Sequence, residues 1–242
     1  MELTDATVVV TGASRGIGRT LLRAFAARGA AVVGCARDVE ALDDAVAAAR
    51  TNSEAAEGDA TVEGVSADVR DASEVETVMD VAAGVGTSDT IDVVVANAGV
   101  KHSTSGEAPI HSEPYDRFDE TMVTNLRGVF VTLKEAAGRL AEHGRVLVPS
   151  GSIAVEAREG MGAYAVSKAG AEALVRQFAV DAPQTAAVVD PGLVDTDLSA
   201  PGGRATEDIA PMFVWAASEA DSEEIDGERV DLRRWKTATR SR

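Results

Sequence analysis

The sequence predicts a single α/β domain built on a doubly wound parallel sheet, and three observations lead to this fold class. Short valine-rich runs alternate with longer alanine-rich amphipathic stretches, as in stacked βαβ units. The valine-rich runs are apolar at nearly every position, as strands buried on both faces require. A glycine-rich segment joins the first run to the first amphipathic stretch. Since we see no repeat and no linker, we expect one domain over residues 1–242.

The elements follow in order from this alternation. β-Branched, apolar runs predict strands at 6–12 (ATVVVTG), 30–36 (AAVVGCA), 61–68 (TVEGVSAD), 91–99 (IDVVVANAG), 144–150 (GRVLVPS) and 185–192 (TAAVVDPG). Each is followed by a stretch of helical pattern, which predicts helices at 17–28, 38–50, 73–84, 115–141, 162–181 and 206–219. The polar segment TNSEAAEGD (51–59) is predicted to be a solvated loop.

The glycine-rich segment VTGASRGIGRT places Gly12, Gly16 and Gly18 between a strand and a helix. Glycines let the backbone turn tightly and approach a pyrophosphate, and the helix N-terminus offers free N–H groups and a positive dipole end. The spacing is G-x-x-x-G-x-G, whereas the general dinucleotide fingerprint is G-x-G-x-x-G. The segment therefore indicates a nucleotide site, and a turn that serves packing alone is the alternative.

Tyr164 and Lys168 are four residues apart in a helical pattern, which places them on one face of the helix. An adjacent ammonium stabilises a phenolate and lowers the phenol pKa from about 10 towards the range of general acid/base catalysis. The pattern predicts a catalytic pair, with a surface tyrosine and lysine on an amphipathic helix as the alternative.

The charge composition limits the kinds of partner that the protein can bind. Forty acidic residues against 23 basic ones give a net charge of −17, which argues against nucleic acid or an anionic membrane as the main partner. Arginine far outnumbers lysine, and with abundant alanine, valine, threonine and aspartate this suggests a salt-adapted protein of haloarchaeal type. We expect activity and Tm to rise with molar KCl.

Cysteine and histidine offer little chemistry. Cys35 is the only cysteine and lies in an apolar run, so we expect a buried thiol. His102, His111 and His143 are scattered without metal-ligand spacing, and no metal is predicted. No apolar run reaches the length of a bilayer span and the N-terminus begins acidic, so the cytoplasm is the expected compartment.

Six motifs follow in order along the chain: TGASRGIG (11–18), ADV (67–69), ANAG (96–99), TNLRGVF (124–130), YAVSK (164–168) and DPGLVDT (190–196). Together they make the chain resemble the short-chain dehydrogenases/reductases. The resemblance implies a Rossmann-type fold and an NADP(H)- or NAD(H)-dependent enzyme that interconverts a small-molecule carbonyl and alcohol. It also implies a homodimer or homotetramer.

By this resemblance, Tyr164 is the general acid/base and Lys168 supports it and holds the nicotinamide ribose. Asn125 corresponds to the family's helix-interrupting asparagine, whose backbone carbonyl holds a water that links Lys168 to solvent. Its apolar neighbours suggest burial, where an amide needs partners.

The catalytic serine is less defined. The family usually has it thirteen residues before the tyrosine, where this chain has Gly151 between Ser150 and Ser152. Pro149 disturbs the strand end, and a bulge there would bring Ser152 to the site. We favour Ser152, with Ser150 as the alternative and no contribution from either hydroxyl as the third possibility.

Cofactor preference is read at the end of the second strand. NAD-binding relatives have an acid there for the ribose 2′-OH, whereas this chain has Ala36 followed by Arg37. Arg15 supplies a second guanidinium, and the two could hold a 2′-phosphate, so NADP(H) is preferred and NAD(H) is possible. Asp38 could reach a ribose, but we interpret it as a helix cap.

The remaining cofactor contacts follow from the resemblance, with Asp68 expected to accept from the adenine amine. The full predicted set is Gly12, Ser14, Arg15, Gly16, Ile17, Gly18, Arg37, Asp68, Val69, Asn97, Gly99, Tyr164, Lys168, Pro191, Gly192, Val194 and Thr196. Substrate contacts are expected from loops 100–115, 153–162 and 197–206, the last of which is glycine-rich and resembles a lid.

Two rival functions remain. One is an NAD-dependent alcohol dehydrogenase or a sugar epimerase of the same superfamily. The other is a redox-sensing regulator that binds nucleotide without turnover.

Overall fold

The computed structural model describes residues 1–53, 60–199 and 202–240. Its centre is one parallel sheet of seven strands in the order β3-β2-β1-β4-β5-β6-β7. The strands are β1 (Thr7–Thr11), β2 (Ala31–Ala36), β3 (Val62–Ser66), β4 (Ile91–Val95), β5 (Leu140–Pro149), β6 (Thr185–Asp190) and β7 (Arg229–Asp231). The predicted parallel α/β fold is confirmed.

The six predicted strands all form, and the sequence analysis missed β7. This edge strand has only three residues, RVD, and two of them are charged, so it carries no apolar run. It is recognisable only from its pairing with β6, in which Val230 lies opposite Val189.

The helices are α1 (Gly16–Ala26), α2 (Val39–Ser53), α3 (Ala72–Val85), α4 (Tyr115–Met122), α5 (Gly128–Ala137), α6 (Gly162–Asp181), α7 (Thr206–Ser218), α8 (Ser222–Ile225) and α9 (Leu232–Arg240). Residues 51–53, which were predicted to begin a loop, belong to α2, and the rest of that predicted loop, 54–59, lies outside the described residues. The short α8 and the polar α9 were not predicted.

The single helix predicted over 115–141 is wrong. A wide π turn at Val123–Arg127 separates α4 from α5, and α5 ends at Ala137. The chain then enters β5 at Leu140, which lies opposite Ile91 of β4. The β4–β5 ladder is irregular between this pair and the next, because β5 has extra residues at this point. In the sequence these residues resembled the end of the preceding helix.

The sheet is covered on both faces, which accounts for the continuous apolar runs. Val8 packs in a cluster with Phe25 of α1 and Phe213 of α7. Val9, whose side chain points the other way, packs in a second cluster with Val78 of α3 and Val175 of α6. Both valines are completely buried.

The direction of winding reverses between β1 and β4, which are neighbours in the sheet. From β1 the chain proceeds to β2 and β3, and from β4 it proceeds to β5, β6 and β7. In open α/β sheets ligands bind at this switch point, beyond the carboxyl ends of the strands. Among the described residues, no helix is both long and apolar enough to cross a membrane.

Candidate active site

The glycine turn after β1 is as tight as the sequence predicted. Gly12 has a φ of +67°, and a side-chain carbon on it would lie 2.8 Å from Ala98 Cα. A side-chain carbon on Gly18 would lie 2.2 Å from Gly12 O, so neither position tolerates another residue. Arg15 precedes α1 without a side-chain capping bond. The first N–H groups of α1 can therefore bind a phosphate group.

A cleft of about 580 Å³ lies beside this turn. Eleven predicted cofactor-binding residues line it: Gly12, Ser14, Arg15, Gly16, Ile17, Arg37, Asp68, Val69, Asn97, Gly99 and Thr196. Gly18, Tyr164, Lys168, Pro191, Gly192 and Val194 do not. Sequence analysis missed Cys35, Ala36, Asp38, Ala41, Ala67, Ala98, Val100, Thr124, Asp197 and Leu198 as lining residues. The volume and the glycine cradle fit a dinucleotide cofactor.

Cys35 is buried, as predicted, and burial raises the pKa of its thiol to about 12. Cys35 lines the cleft, and its thiol stays protonated and unreactive at neutral pH. Among the described residues, no three His, Cys, Asp or Glu side chains are grouped so that they could hold a metal ion.

The charged rim of the cleft has two parts. Asp68 accepts hydrogen bonds from Arg70 Nε at 2.8 Å and Nη2 at 2.5 Å, and these bonds hold the pKa of the Asp68 carboxyl below its usual value. Arg37 is half-exposed and 4.0 Å from the same carboxylate. Asp38 caps α2 by accepting from Ala41 N at 3.1 Å, as predicted.

Arg15 lies at the other part of the rim. Its Nη1 is 3.4 Å from Asp197 Oδ2, and both side chains are largely exposed. Pairs this exposed contribute little and exchange partners readily. Arg15 therefore keeps a guanidinium available beside the glycine turn.

Tyr164 and Lys168 share one face of α6, as the spacing predicted. Lys168 Nζ lies 5.9 Å from the centre of the Tyr164 ring and donates to Pro149 O at 2.9 Å. Burial raises the pKa of Tyr164 to about 12 and lowers that of Lys168 to about 8. The expected lowering of the tyrosine pKa is wrong for this structure, because burial disfavours the charged phenolate.

Asn125 interrupts the helix, as expected from the resemblance, and lies within the π turn. Its side chain is almost completely buried and pairs with both backbone groups of Val100: Oδ1 accepts from the N–H at 2.7 Å and Nδ2 donates to the carbonyl at 2.8 Å. Nδ2 also lies 3.2 Å from Ser167 Oγ. Asn125 thus fixes the segment after β4 against α6.

Asn97 supports the glycine turn from the opposite side. Its Nδ2 donates to Thr11 O at 2.9 Å and to Gly12 O at 3.2 Å. The side chain therefore braces the turn as well as lining the cleft, a contact that the motif alone did not reveal.

The two serines near Pro149 have different partners. Ser150 Oγ donates to Glu172 Oε1 at 2.6 Å, whereas Ser152 Oγ accepts from Arg158 Nη2 at 2.5 Å. The predicted bulge at Pro149 is wrong, because the β5–β6 ladder stays regular through Pro149. Ser152 is instead displaced by a 3₁₀ turn, Ser152–Ala154, which packs on α6.

A buried ionic network lies behind Tyr164, and the sequence analysis missed it. Arg229 of β7 pairs with Glu172 of α6 and with Asp190 at the end of β6, and it donates to Gly151 O at 3.0 Å. Asp190 also accepts from Gly192 N at 2.9 Å. Arg229 therefore joins three segments of the site. Its three-residue strand was invisible in the sequence, so nothing signalled these contacts.

The loops in front of Tyr164 contain further polar side chains. Lys101 Nζ lies 5.6 Å from the centre of the Tyr164 ring, and His102 Nε2 is 3.4 Å from Glu120 Oε2. Arg158 belongs to the loop between the 3₁₀ turn and α6. The predicted lid, 197–206, follows Thr196 at the cleft, and the structure describes it except at residues 200 and 201.

The family model described as short chain dehydrogenase matches residues 6–206. The chain belongs to this family. It therefore stands among dehydrogenases and reductases that act on alcohol and carbonyl groups.

The relatives and solved structures agree with this membership. The chain is 36% identical to an L-rhamnose 1-dehydrogenase (NAD(P)(+)) of Azotobacter vinelandii, over 74% of this chain and 68% of that protein. It is 31% identical to the NADPH-dependent aldehyde reductase 2 of Arabidopsis thaliana, over 92% and 90%. A short-chain dehydrogenase of Burkholderia cenocepacia in complex with NADP superposes with a TM-score of 0.83 at 26% identity, over 96% of this chain and 98% of that one.

Proposed function

We propose that the protein is an NADP(H)-dependent oxidoreductase that interconverts a small-molecule carbonyl and alcohol, as a single domain over residues 1–242. The observation that carries the proposal is the Tyr164–Lys168 pair on α6, at the carboxyl end of the sheet that also forms the glycine-lined cleft. A bound nicotinamide cofactor supplies or accepts the hydride.

Tyr164, Lys168 and Asn125 have different proposed roles in proton transfer to the substrate oxygen. With its raised pKa, Tyr164 is a protonated phenol at neutral pH and donates its proton to a carbonyl oxygen during reduction. Lys168 is cationic below about pH 8 and stabilises the phenolate left behind. Asn125 positions the segment beside the pair and is proposed to hold a relay water through its backbone carbonyl.

Ser152 is the proposed second donor to the substrate oxygen. Arg158 donates to its Oγ, which leaves the serine O–H free to point at a substrate. Ser150 is engaged by Glu172, so its hydroxyl proton is already used.

The preference for NADP(H) rests on guanidiniums at the cleft. Arg37 follows β2 at the position where a ribose 2′-group is read, and Arg15 lies beside the glycine turn. Asp38 is occupied in capping α2. The Burkholderia cenocepacia structure contains NADP, and a blue fluorescent protein from a metagenomic library, 26% identical, was solved with NADPH. NAD(H) is the alternative.

A screen of aldehydes, ketones and alcohols with NADPH and NADH in molar KCl tests both points. We expect turnover with a lower KM for NADPH, and Arg37→Met should raise the KM for NADPH far more than that for NADH. Arg28→Met, an exposed arginine away from the cleft, is the matched control. A KM for NADPH that is not well below that for NADH would contradict the two-arginine argument, and a lower KM for NADH would favour the NAD-dependent alternative. Nucleotide binding without any turnover would favour the regulator.

The assembly, salt adaptation and compartment complete the proposal. Tyr115, Phe130 and Val166 expose apolar surface on α4, α5 and α6, which favours burial between copies in a homodimer or homotetramer. The net charge of −17 supports salt adaptation, to be checked by Tm in KCl. The cytoplasmic location stays a prediction.

A further inference from the structure

Two cations lie in the loops in front of the catalytic pair. Lys101 follows the segment after β4, and its Nζ is 5.6 Å from the centre of the Tyr164 ring. Arg158 comes from the opposite loop and donates to Ser152 Oγ. Both cations therefore stand beside the two groups that are proposed to hold the substrate oxygen.

The two loops are joined to each other by their backbones. Gly106 N and Ala108 N both donate to Gly160 O, at 3.2 and 3.0 Å. Gly160 has a φ of +66°, and a side-chain carbon on it would lie 2.1 Å from Gly106 C, so the loops touch with no room for a larger residue. This contact holds both cation-bearing loops in one arrangement.

Among the residues that the structure describes, Lys101 has no acidic partner. Its Nζ donates to Ser105 Oγ at 2.5 Å, and across residues 1–53, 60–199 and 202–240 no carboxylate lies within 4.0 Å of it. Partial burial lowers the pKa of Lys101. By contrast Lys134 lies 3.6 Å from Glu135, and Arg158 lies 3.3 Å from Glu156.

What sets Lys101 apart is its position beside the Tyr164 ring. Acidic residues outnumber basic ones by 40 to 23, and only four of the basic residues are lysines. A partly desolvated ammonium is unfavourable until an anion completes it. The overall charge of −17 also repels anions, so a bound anion needs local cations.

We propose that Lys101 anchors an anionic subsite, and that the substrate is a small oxo or hydroxy acid. Its carboxylate binds Lys101 with Arg158 nearby, while its carbonyl or hydroxyl oxygen faces Tyr164. The inference rests on the proposed function and names the substrate class for it. The competing role for Lys101 is a direct one, in which its charge stabilises the Tyr164 phenolate for any substrate.

Matched ketone pairs separate these roles. Pyruvate, 3-oxobutanoate and 4-oxopentanoate are compared with acetone, butanone and 2-pentanone, in which a methyl group replaces the carboxylate. For each ketone we would measure kcat/KM with NADPH and the dissociation constant from the enzyme–NADP⁺ complex, which cannot reduce a ketone. The proteins are the wild type, Lys101→Met, Lys101→Arg and the exposed-lysine control Lys134→Met.

We expect at least one oxo acid to bind about 10- to 100-fold more tightly than its neutral match, the range of one charge-assisted hydrogen bond. Lys101→Met should abolish this preference, because it should weaken binding of the oxo acid far more than binding of its neutral match. Lys101→Arg should keep much of the preference, and Lys134→Met should keep all of it.

The binding assay decides the inference independently of turnover. No preference in the wild type, or a preference that survives Lys101→Met, overturns the anionic subsite even if ketones are reduced, and the proposed function then stands. A preference that depends on Lys101 without reduction of any ketone supports the subsite and overturns the proposed function. Equal loss of kcat/KM for charged and neutral ketones in Lys101→Met indicates the direct role and also overturns the inference.

Discussion

The charges behind Tyr164 and those in front of it are arranged in opposite ways. Behind it, Lys168 and Arg229 face Glu172 and Asp190, so two cations meet two carboxylates, and Glu172 is only 3% exposed. In front of it, Lys101 has no acidic partner among the described residues and Arg158 is more than half exposed. The four charges of the buried side balance, whereas on the open side Arg158 pairs with Glu156 and Lys101 has no such partner among the described residues.

This difference distinguishes residues that hold the site together from residues that are available to bind a ligand. Buried charges must be paired, so the rear network holds α6, β6 and the Gly151 segment in one arrangement and offers no free charge to a ligand. Arg158 stays hydrated, so its pairing contributes little to stability. Residues in front of Tyr164 can therefore be replaced at little cost in stability, whereas the rear network must stay intact.

Tyr164 lies at the boundary, and its replacement should give the largest effect. Tyr164→Phe keeps the ring and removes the proton donor, so kcat/KM should fall by about 10²- to 10⁴-fold. Tyr115→Phe is the matched control, since Tyr115 is the only other tyrosine and is 91% exposed. NADPH affinity and circular dichroism should be unchanged in both variants; a Tyr164→Phe enzyme with full activity would remove Tyr164 from the proposed chemistry.

Replacement of Arg229, the arginine behind Tyr164, should have the second-largest effect. Arg229→Met removes the guanidinium that pairs with both Glu172 and Asp190 and should lower the free energy of unfolding by about 3–5 kcal/mol. Arg158→Met, in front, should lower it by about 1 kcal/mol or less. Urea unfolding at one fixed KCl concentration measures both. Similar losses for the two variants would break the distinction between a structural rear and a ligand-binding front.

Alanine substitutions of Ser152 and Ser150 test the same difference with smaller expected effects. Ser152→Ala, in front, should lower kcat/KM by about 10²-fold, the effect of losing one donor to a developing oxyanion, with little change in stability. Ser150→Ala, behind, should cost about 1.5–3 kcal/mol of stability, because it removes a hydrogen bond to a carboxylate. The opposite assignment of effects would make Ser150 the catalytic serine.

The sequence predicted the residues of contiguous motifs better than it predicted the ionic network behind Tyr164. Gly12 and Asn125 belong to contiguous motifs whose local geometry follows from spacing, and the structure shows the tight turn at Gly12 and the interrupted helix at Asn125. Arg229 and Glu172 meet across 57 residues through a strand too short to show a pattern. Such contacts depend on the packed sheet, and local periodicity carries no signal for them.

The raised pKa of Tyr164 was missed for a related reason. The spacing identified the neighbouring ammonium but not the depth at which the phenol lies. Burial depends on loops from distant parts of the chain, so the larger of the two opposing effects could not be read from the helix alone.

The rear network should also act on Lys168 by charge, with a smaller effect on rate. Burial lowers the Lys168 pKa to about 8, and the neighbouring Glu172 carboxylate opposes this by raising it. Reduction that uses the Lys168 ammonium should therefore slow as pH rises through about 8. Glu172→Gln removes the opposing charge, so the decline of kcat/KM should begin at lower pH.

The same shift has a consequence for stability. The pKa of Lys168 is lower in the folded than in the unfolded chain, so between about 8 and its ordinary value of 10.5 the unfolded chain binds more protons. The free energy of unfolding contributed by this group therefore rises with pH in that window, and Glu172→Gln should extend the window downward. Profiles of kcat/KM and urea unfolding from pH 6 to 10 measure both effects, with the exposed Glu142→Gln as control. An unmoved decline in Glu172→Gln would mean that the rear network holds the site in place without setting the charge of Lys168.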